Sequence, residues 1–287
     1  MQDNLQISAV SETLFMPLYA LALESQSRHP IMVDEGAVEL TQRLNEAFAA
    51  SDKGVYKRLV RGNLPKMLVS SLTLRIRHYD RCVRDFLDRQ PEGIVVNLGC
   101  GLNERCRRVD NGRVRCYDLD LPEVIALRRQ LLPETDRWHF IATSVLDMAW
   151  FDALPDEPGQ RFLFVAEGLF MYLPADDVRT LVTTLHERYP GAELIAEIAH
   201  QKIVRMMQGR LGRGKFRRQF GMSQNVVYHF GLEDSRQMEA WALGIKFLDD
   251  WTYFDEDEPK LGWIRLFAWL ALVRRAQWTA RYRLGSS

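Results

Sequence analysis

The rhythm of apolar and polar positions changes near residue 90. Before that point no stretch alternates as a strand does. Leu14-Phe15-Met16 and Leu18-Tyr19-Ala20-Leu21-Ala22-Leu23, on either side of Pro17, predict an apolar helix. Asp34 stands where it can cap a second helix, in which Val38, Leu44 and Phe48 fall near helical spacing. A third helix is predicted over about 68–87. Residues 1–90 thus read as a helical cap region.

Beyond residue 90 the pattern becomes short apolar runs separated by amphipathic helices. Runs at 94–98, 113–117, 138–143, 161–167 and 192–199 predict strands, and 245–254 and 278–284 predict two more. Runs as apolar as 94–98 and 162–166 mark strands covered on both faces, the usual state of a parallel sheet. Leu121-Pro122-Glu123 opens one intervening helix, and another follows Leu173-Pro174. A further helix is expected near 259–275. Strand–helix alternation from 93 to 199 requires right-handed crossovers, whereas the final strand, close to the C-terminus, inserts antiparallel at low topological cost. The expectation is an α/β, Rossmann-like fold over 91–287: seven strands, mostly parallel, with an antiparallel last strand.

Candidate chemistry gathers after the first strand. Gly99-Cys100-Gly101 lets the chain turn sharply and brings bare backbone against a ligand. Asp118 and Asp120 follow about 20 residues later, at the end of the second strand, where an acid accepts hydrogen bonds from ribose hydroxyls. The register favours Asp120, with Asp118 the competing candidate. A dinucleotide fingerprint needs a third small residue so that a helix can aim its N-terminus at a pyrophosphate. Here that position is Glu104, which repels one. S-adenosylmethionine (SAM) has a ribose, an adenine and a cationic sulfonium but no phosphate, and suits the pattern better. Ser144 and Val145, in the exit loop of the third strand, stand where such folds meet an adenine. Glu167 ends the fourth strand and borders the same crevice. In Arg75-Ile76-Arg77-His78-Tyr79-Asp80 the two arginines cannot share a helix face, so they do different work. Arg75 is the candidate for the carboxylate of the methionine portion.

Composition removes some alternatives. Lys and Arg total 38 and Asp and Glu 38, so no overall field argues for nucleic acid or an anionic membrane. Cys82, Cys100, Cys106 and Cys116 lack metal-ligand spacing and read as reduced, buried residues of a cytoplasmic protein, with no metal expected. No basic start with a long apolar run marks a signal peptide, and no membrane span is predicted. Monomer and homodimer are not distinguished. The stretch 200–245 is set apart as a lid insertion. Lys202, Arg205, Arg210, Arg213, Lys215, Arg217 and Arg218 make it basic, with glycines at 209, 212, 214 and 221. Arg217 and Arg218 are expected to meet an anionic small-molecule acceptor. The aromatic spacing of a nucleic-acid surface is absent. His200, just past the fifth strand, is the first candidate for a general base.

Three stretches resemble the leucine carboxyl methyltransferase superfamily, nearest its bacterial polyketide O-methyltransferase branch: Val95-Val96-Asn97-Leu98-Gly99-Cys100-Gly101, Tyr117-Asp118-Leu119-Asp120-Leu121-Pro122 and Ala166-Glu167-Gly168-Leu169-Phe170-Met171-Tyr172-Leu173. Pro17-Leu18-Tyr19-Ala20 resembles the N-terminus of that branch. The resemblance implies a class I methyltransferase fold and SAM-dependent methyl transfer to oxygen. It assigns Arg75 to the SAM carboxylate, Gly99 to the methionine backbone, Asp120 to the ribose and Glu167 to the methionine end of the site. Tyr19 and Tyr172, within matching motifs, become candidates on the acceptor side. Ser144-Val145 stands where protein-directed members carry Asp-Leu, which favours a small-molecule acceptor over a protein tail. The rival classes are a nicotinamide-dependent oxidoreductase and a non-catalytic binder of the same fold.

Overall fold

The structure is a computed structural model and describes residues 12–49, 51–156, 159–209 and 227–285. Seven strands form one sheet in the order β3-β2-β1-β4-β5-β7-β6. They are β1 (Ile94–Leu98), β2 (Arg115–Asp120), β3 (Trp138–Ala142), β4 (Phe162–Ala166), β5 (Ala192–Ala199), β6 (Ile245–Trp251) and β7 (Gln277–Leu284). The first five pair in parallel, and β7 inserts antiparallel between β5 and β6. The sequence expectation for the sheet therefore holds. The second strand runs to Asp120 and not, as the apolar run suggested, only to Tyr117.

Each strand feeds two cores, as the period of two requires. Val95, Leu163, Val165 and Ile195 face one layer, and Ile94, Val96, Leu98, Phe164 and Leu194 face the other. The first layer holds α1 (Phe15–Ser25), α2 (Glu35–Ala49), α3 (Gly54–Val60), α4 (Lys66–Arg89) and α6 (Pro122–Leu131). The N-terminal helices thus share one continuous core with the sheet. Asp34 caps α2 as expected, its Oδ1 accepting from the Ala37 N–H at 2.9 Å. The short helix α3 has no counterpart in the sequence reading. The second layer is built on α7 (Ala175–Arg188) and the turns after β3.

Two elements serve the site directly. After Gly101 the chain makes only a four-residue helix, α5 (Arg105–Arg108). The helix expected near 259–275 is broken into a 3₁₀ segment, Pro259–Phe267, and a single turn, Ala271–Arg274. Gly262, at φ 61°, interrupts the first, and the extended Leu270 precedes the second. Among the described residues no helix is long and apolar enough to cross a membrane. The four cysteines are free and buried. The basic segment 210–226, with Arg217 and Arg218, lies outside the described residues.

Candidate active site

A cavity of about 740 Å³ opens along the carboxyl ends of β2, β1 and β4. Its floor is the turn after β1. Gly99 and Gly101 adopt φ 67° and 55°, a region costly for any side chain. A Cβ on Gly99 would sit 3.0 Å from Leu169, and one on Gly101 3.1 Å from Leu14. Both glycines line the cavity.

The two acids of β2 separate cleanly. Asp118 lies beneath the turn, 1% exposed, and does not border the cavity. It accepts from Asn97 Nδ2 at 2.6 Å, Trp138 Nε1 at 2.6 Å and Arg128 Nη2. Arg128 in turn donates to the carbonyls of Gly101 and Asn103, each at 2.8 Å, so this ion pair braces the glycine turn from below. Asp120 lines the cavity and accepts only backbone N–H groups, from Gly101 at 2.7 Å and Leu121 at 2.8 Å. Burial raises its pKa, against the pull of those two N–H groups and of Arg128. Each oxygen keeps a free lone pair direction for a ligand hydroxyl.

Next along the sheet edge is a buried cluster of charge. Glu167, at the end of β4, accepts from Arg75 Nε at 2.8 Å, from Arg105 Nη2 and from Asn103 Nδ2 at 3.3 Å. Arg75 Nη1 spans both oxygens of Glu197 on β5, at 3.1 and 2.9 Å. Burial pushes both carboxyls up. Glu167, attended by Arg75 and Arg105, ends below the usual range, whereas Glu197, with Arg75 alone and Glu167 opposing, stays above it. Arg105 and Arg108 also grip Asp80 of α4, and Arg108 reaches Asp34 at 2.9 Å. These links tie α5 to the N-terminal helices. Arg77, two residues from Arg75, instead holds the Ile31 carbonyl at 3.1 Å and Glu256 at 2.9 Å, so the two arginines do face apart.

The structure brings Arg75, Gly99, Gly101, Asp120, Glu167 and Tyr172 into one cavity wall. Arg75 comes with a qualification: its Nε and Nη1 are already committed to glutamates, and among the described residues only Nη2 makes no hydrogen bond. Other candidates lie away from this wall. Ser144 and Val145 do not border the cavity; Ser144 Oγ accepts from the Leu146 N–H at 3.2 Å and Val145 packs into the second core. Tyr19 is 3% exposed, stacked on Phe48 and donating to Asn45 Oδ1 at 2.6 Å, a core residue and not an acceptor contact. His200 caps the helix Gln201–Gln208, its Nδ1 accepting from the Lys202 N–H at 3.1 Å, and is not part of the cavity wall. Burial and the nearby Lys202 lower its pKa.

Sequence reasoning missed Asn103, Arg105, Glu197, Tyr228, Tyr253 and Gln277. Only the run Arg105-Cys106-Arg107-Arg108 after the glycine turn hinted at charge there. Glu104 does border the cavity, as the case against a pyrophosphate required, but its side chain turns toward Gly36 and Arg107.

SAM fits these residues on structural grounds. Bare glycine backbone underlies the site, a two-oxygen acid stands at the end of β2, and carboxylates outnumber guanidiniums in the described wall, which suits a net cation. Asp34, Glu104, Asp120, Glu123 and Glu167 oppose only Arg75, Arg105 and Arg108. Among the described residues no cluster of His, Cys, Asp or Glu could hold a metal ion.

Comparison with known proteins agrees. The tetracenomycin polyketide synthesis O-methyltransferase TcmP of Streptomyces glaucescens is 28% identical over 89% of this chain and 87% of its own. The S-adenosyl-L-methionine-dependent methyltransferase dpfgK of Gibberella zeae is 26% identical over 96% and 93%. Among solved structures, magnesium protoporphyrin IX methyltransferase from Synechocystis with bound S-adenosylhomocysteine (SAH) aligns over 86% of this chain and 100% of its own at 11% identity and TM-score 0.49. The sequence model of the leucine carboxyl methyltransferase family matches residues 15–186. That span holds the glycine turn, both β2 acids, Arg75 and Glu167, and the chain belongs to the leucine carboxyl methyltransferase family and with it to the SAM-dependent methyltransferases.

Proposed function

We propose that the protein transfers the methyl group of SAM to an oxygen of an apolar small-molecule acceptor. The observation that carries this reading is that one cavity is lined both by polar residues at the ends of β2, β1 and β4 and by apolar side chains: Met16 and Leu21 of α1, Leu68 and Leu72 of α4, and Leu261 and Ile264 of the 3₁₀ segment. The polyketide O-methyltransferase named above, aligned across most of the chain, supports oxygen as the receiving atom.

When bound, SAM supplies an electrophilic methyl group on a sulfonium. The chain's share is to hold and align. Asp120 receives ribose hydroxyls on oxygens already fixed by the Gly101 and Leu121 N–H groups. Arg75 offers the methionine carboxylate only its Nη2 amino group, and not the two-nitrogen grip expected from sequence, because Glu167 and Glu197 hold its other nitrogens. The apolar side chains of the wall exclude water and keep the receiving oxygen in line with the methyl carbon; well-oriented reactions of this kind gain about 7–11 kcal/mol. The described wall carries carboxylates and tyrosines but no histidine or lysine.

The test is transfer of a labelled methyl group from SAM. Apolar phenols and acids are offered alongside a peptide ending in leucine. Label extracted with a small molecule is the expected result. A protein that binds SAH yet labels only the peptide would overturn the small-molecule reading.

A further inference from the structure

Helix α4 meets strand β5 through two arginine–glutamate pairs set in different surroundings. Arg89 donates to Glu193 at 2.7 and 3.0 Å near the surface, with 47% of its side chain exposed. Arg75 donates to both oxygens of Glu197 at 3.1 and 2.9 Å, its side chain 10% exposed and that of Glu197 1%. The two glutamates lie four residues apart on one strand and so share a face of the sheet. A buried ion pair adds little to stability, because the cost of taking both charges out of water offsets their attraction. Fastening helix to strand therefore does not account for the inner pair.

What sets the inner pair apart is the cavity: Arg75 borders it, and Glu197 lies behind. A guanidinium is planar, so two anchors fix its plane and the direction of its third nitrogen. The first anchor is Glu167, whose Oε1 accepts from Arg75 Nε at 2.8 Å. Its Oε2 is occupied by Arg105 Nη2 and by Asn103 Nδ2 at 3.3 Å, so Glu167 has no second oxygen for Arg75. With that anchor alone the guanidinium would still swing about its Cδ–Nε bond. Glu197, on Nη1, is the second anchor and stops the swing. Nη2 is then left beside Gly168, where an added Cβ would stand 3.7 Å from it. Gly168 also borders the cavity and puts no side chain over that nitrogen. Glu197 is held in turn by neutral groups: Gln277 Nε2 donates to its Oε1 at 2.6 Å, and the Tyr253 hydroxyl lies 3.4 Å from the same oxygen. Among the described residues Arg75 is its one cationic partner.

We infer that Glu197 is a positioning residue for the cofactor: it touches no ligand and acts through Arg75, fixing the guanidinium so that Nη2 meets the methionine carboxylate. The inference rests on the reading of Arg75 as the contact for that carboxylate.

The test compares two probes on the full chain, SAH by direct calorimetry and 5′-methylthioadenosine by competition against it. The second keeps the nucleoside and the sulfur but has no carboxylate. Glu197→Gln, which keeps the bulk and removes the charge, should weaken SAH at least fivefold and leave 5′-methylthioadenosine within twofold. Glu197→Asp keeps the charge but draws it back by one methylene; it should weaken SAH at least threefold with the same selectivity, and serves if the Gln variant does not fold. Glu193→Gln, at the outer pair, should leave both probes within twofold. In an Arg75→Met background the Glu197→Gln change should add less than twofold, since the residue it acts through is gone. Equal losses for the two probes would mean general damage to the site and overturn the inference. So would SAH binding within twofold of the original, or an undiminished effect without Arg75. If Arg75→Met alone leaves SAH affinity unchanged, the reading of Arg75 falls and takes this inference with it. If Arg75→Met weakens SAH and neither Glu197 variant does, only the inference falls.

Discussion

Two buried arginines, Arg128 under the glycine turn and Arg75 in the cavity wall, show how similar chemistry serves opposite ends. Arg128 is fully buried, paired with Asp118, bonded to two carbonyls and covered by the rings of Trp138 and Phe140, 5.4 and 4.9 Å from its guanidinium. It does not border the site cavity, and it holds backbone in place. Arg75 is also held by carboxylates, through Nε and Nη1, and its remaining nitrogen Nη2 belongs to a side chain in the cavity wall. Each arginine keeps one nitrogen without a hydrogen bond, Nε of Arg128 and Nη2 of Arg75; the first is sealed inside the protein, the second belongs to a side chain that borders the cavity.

The comparison can be broken by substitutions on each side. The largest effect should come from Asp118→Ala, which leaves Arg128 buried without its counter-charge. A loss of about 3–5 kcal/mol of folding stability is expected in chemical denaturation. A loss below about 1 kcal/mol would show that the turn needs no brace. Asp120→Ala should instead leave stability nearly unchanged and weaken SAH binding about ten- to a hundredfold, as removal of charged hydrogen bonds worth about 1.5–3 kcal/mol requires. If Asp118→Asn proves the more damaging to SAH affinity in a folded protein, the roles of the two acids are reversed.

Acidity sharpens the same contrast. The pKa of Asp120 is raised by burial, so its carboxylate picks up a proton at a higher pH than an ordinary aspartate. The protonated form accepts less well from ribose hydroxyls. SAH affinity should therefore be full above that raised pKa and decline as pH falls through it. In Asp120→Asn this dependence should flatten; an unchanged slope would move the titrating group elsewhere in the cluster.

Smaller effects follow. Arg75→Lys should lower SAH affinity about tenfold, because one ammonium cannot serve two glutamates and a ligand together, while Arg77→Lys should stay within twofold. Equal losses would erase the distinction between the two arginines. Tyr19→Phe removes one hydrogen bond to Asn45 and should reduce stability by about 1 kcal/mol with SAH affinity unchanged.

What the sequence reveals is what is local. The strand 94–98, the glycine pair and the β2 acid fall within 27 residues, and their types and spacing are enough to place a nucleoside site. The partner of a buried charge is not local. Arg75 meets Glu167 across 92 positions and Glu197 across 122, and nothing in either neighbourhood marks the pairing. Motif resemblance has the converse weakness: it locates a segment without saying which way each side chain points. Tyr19 sits in a matching motif and turns into the core, and Val145 likewise packs inward. The helix expected near 259–275 failed because periodicity does not register a backbone reversal at Gly262, where φ is 61°.

The claim on which the rest depends is that the glycine turn and Asp120 hold a nucleoside cofactor without a pyrophosphate. Calorimetric titration of the full chain with SAH and, separately, with NADH tests it most directly. Because α5 is four residues long and Glu104 precedes it, no helix N-terminus is built to receive a pyrophosphate. The expected result is saturable one-to-one binding of SAH and no measurable binding of NADH. Tight NADH binding with no response to SAH would contradict the account.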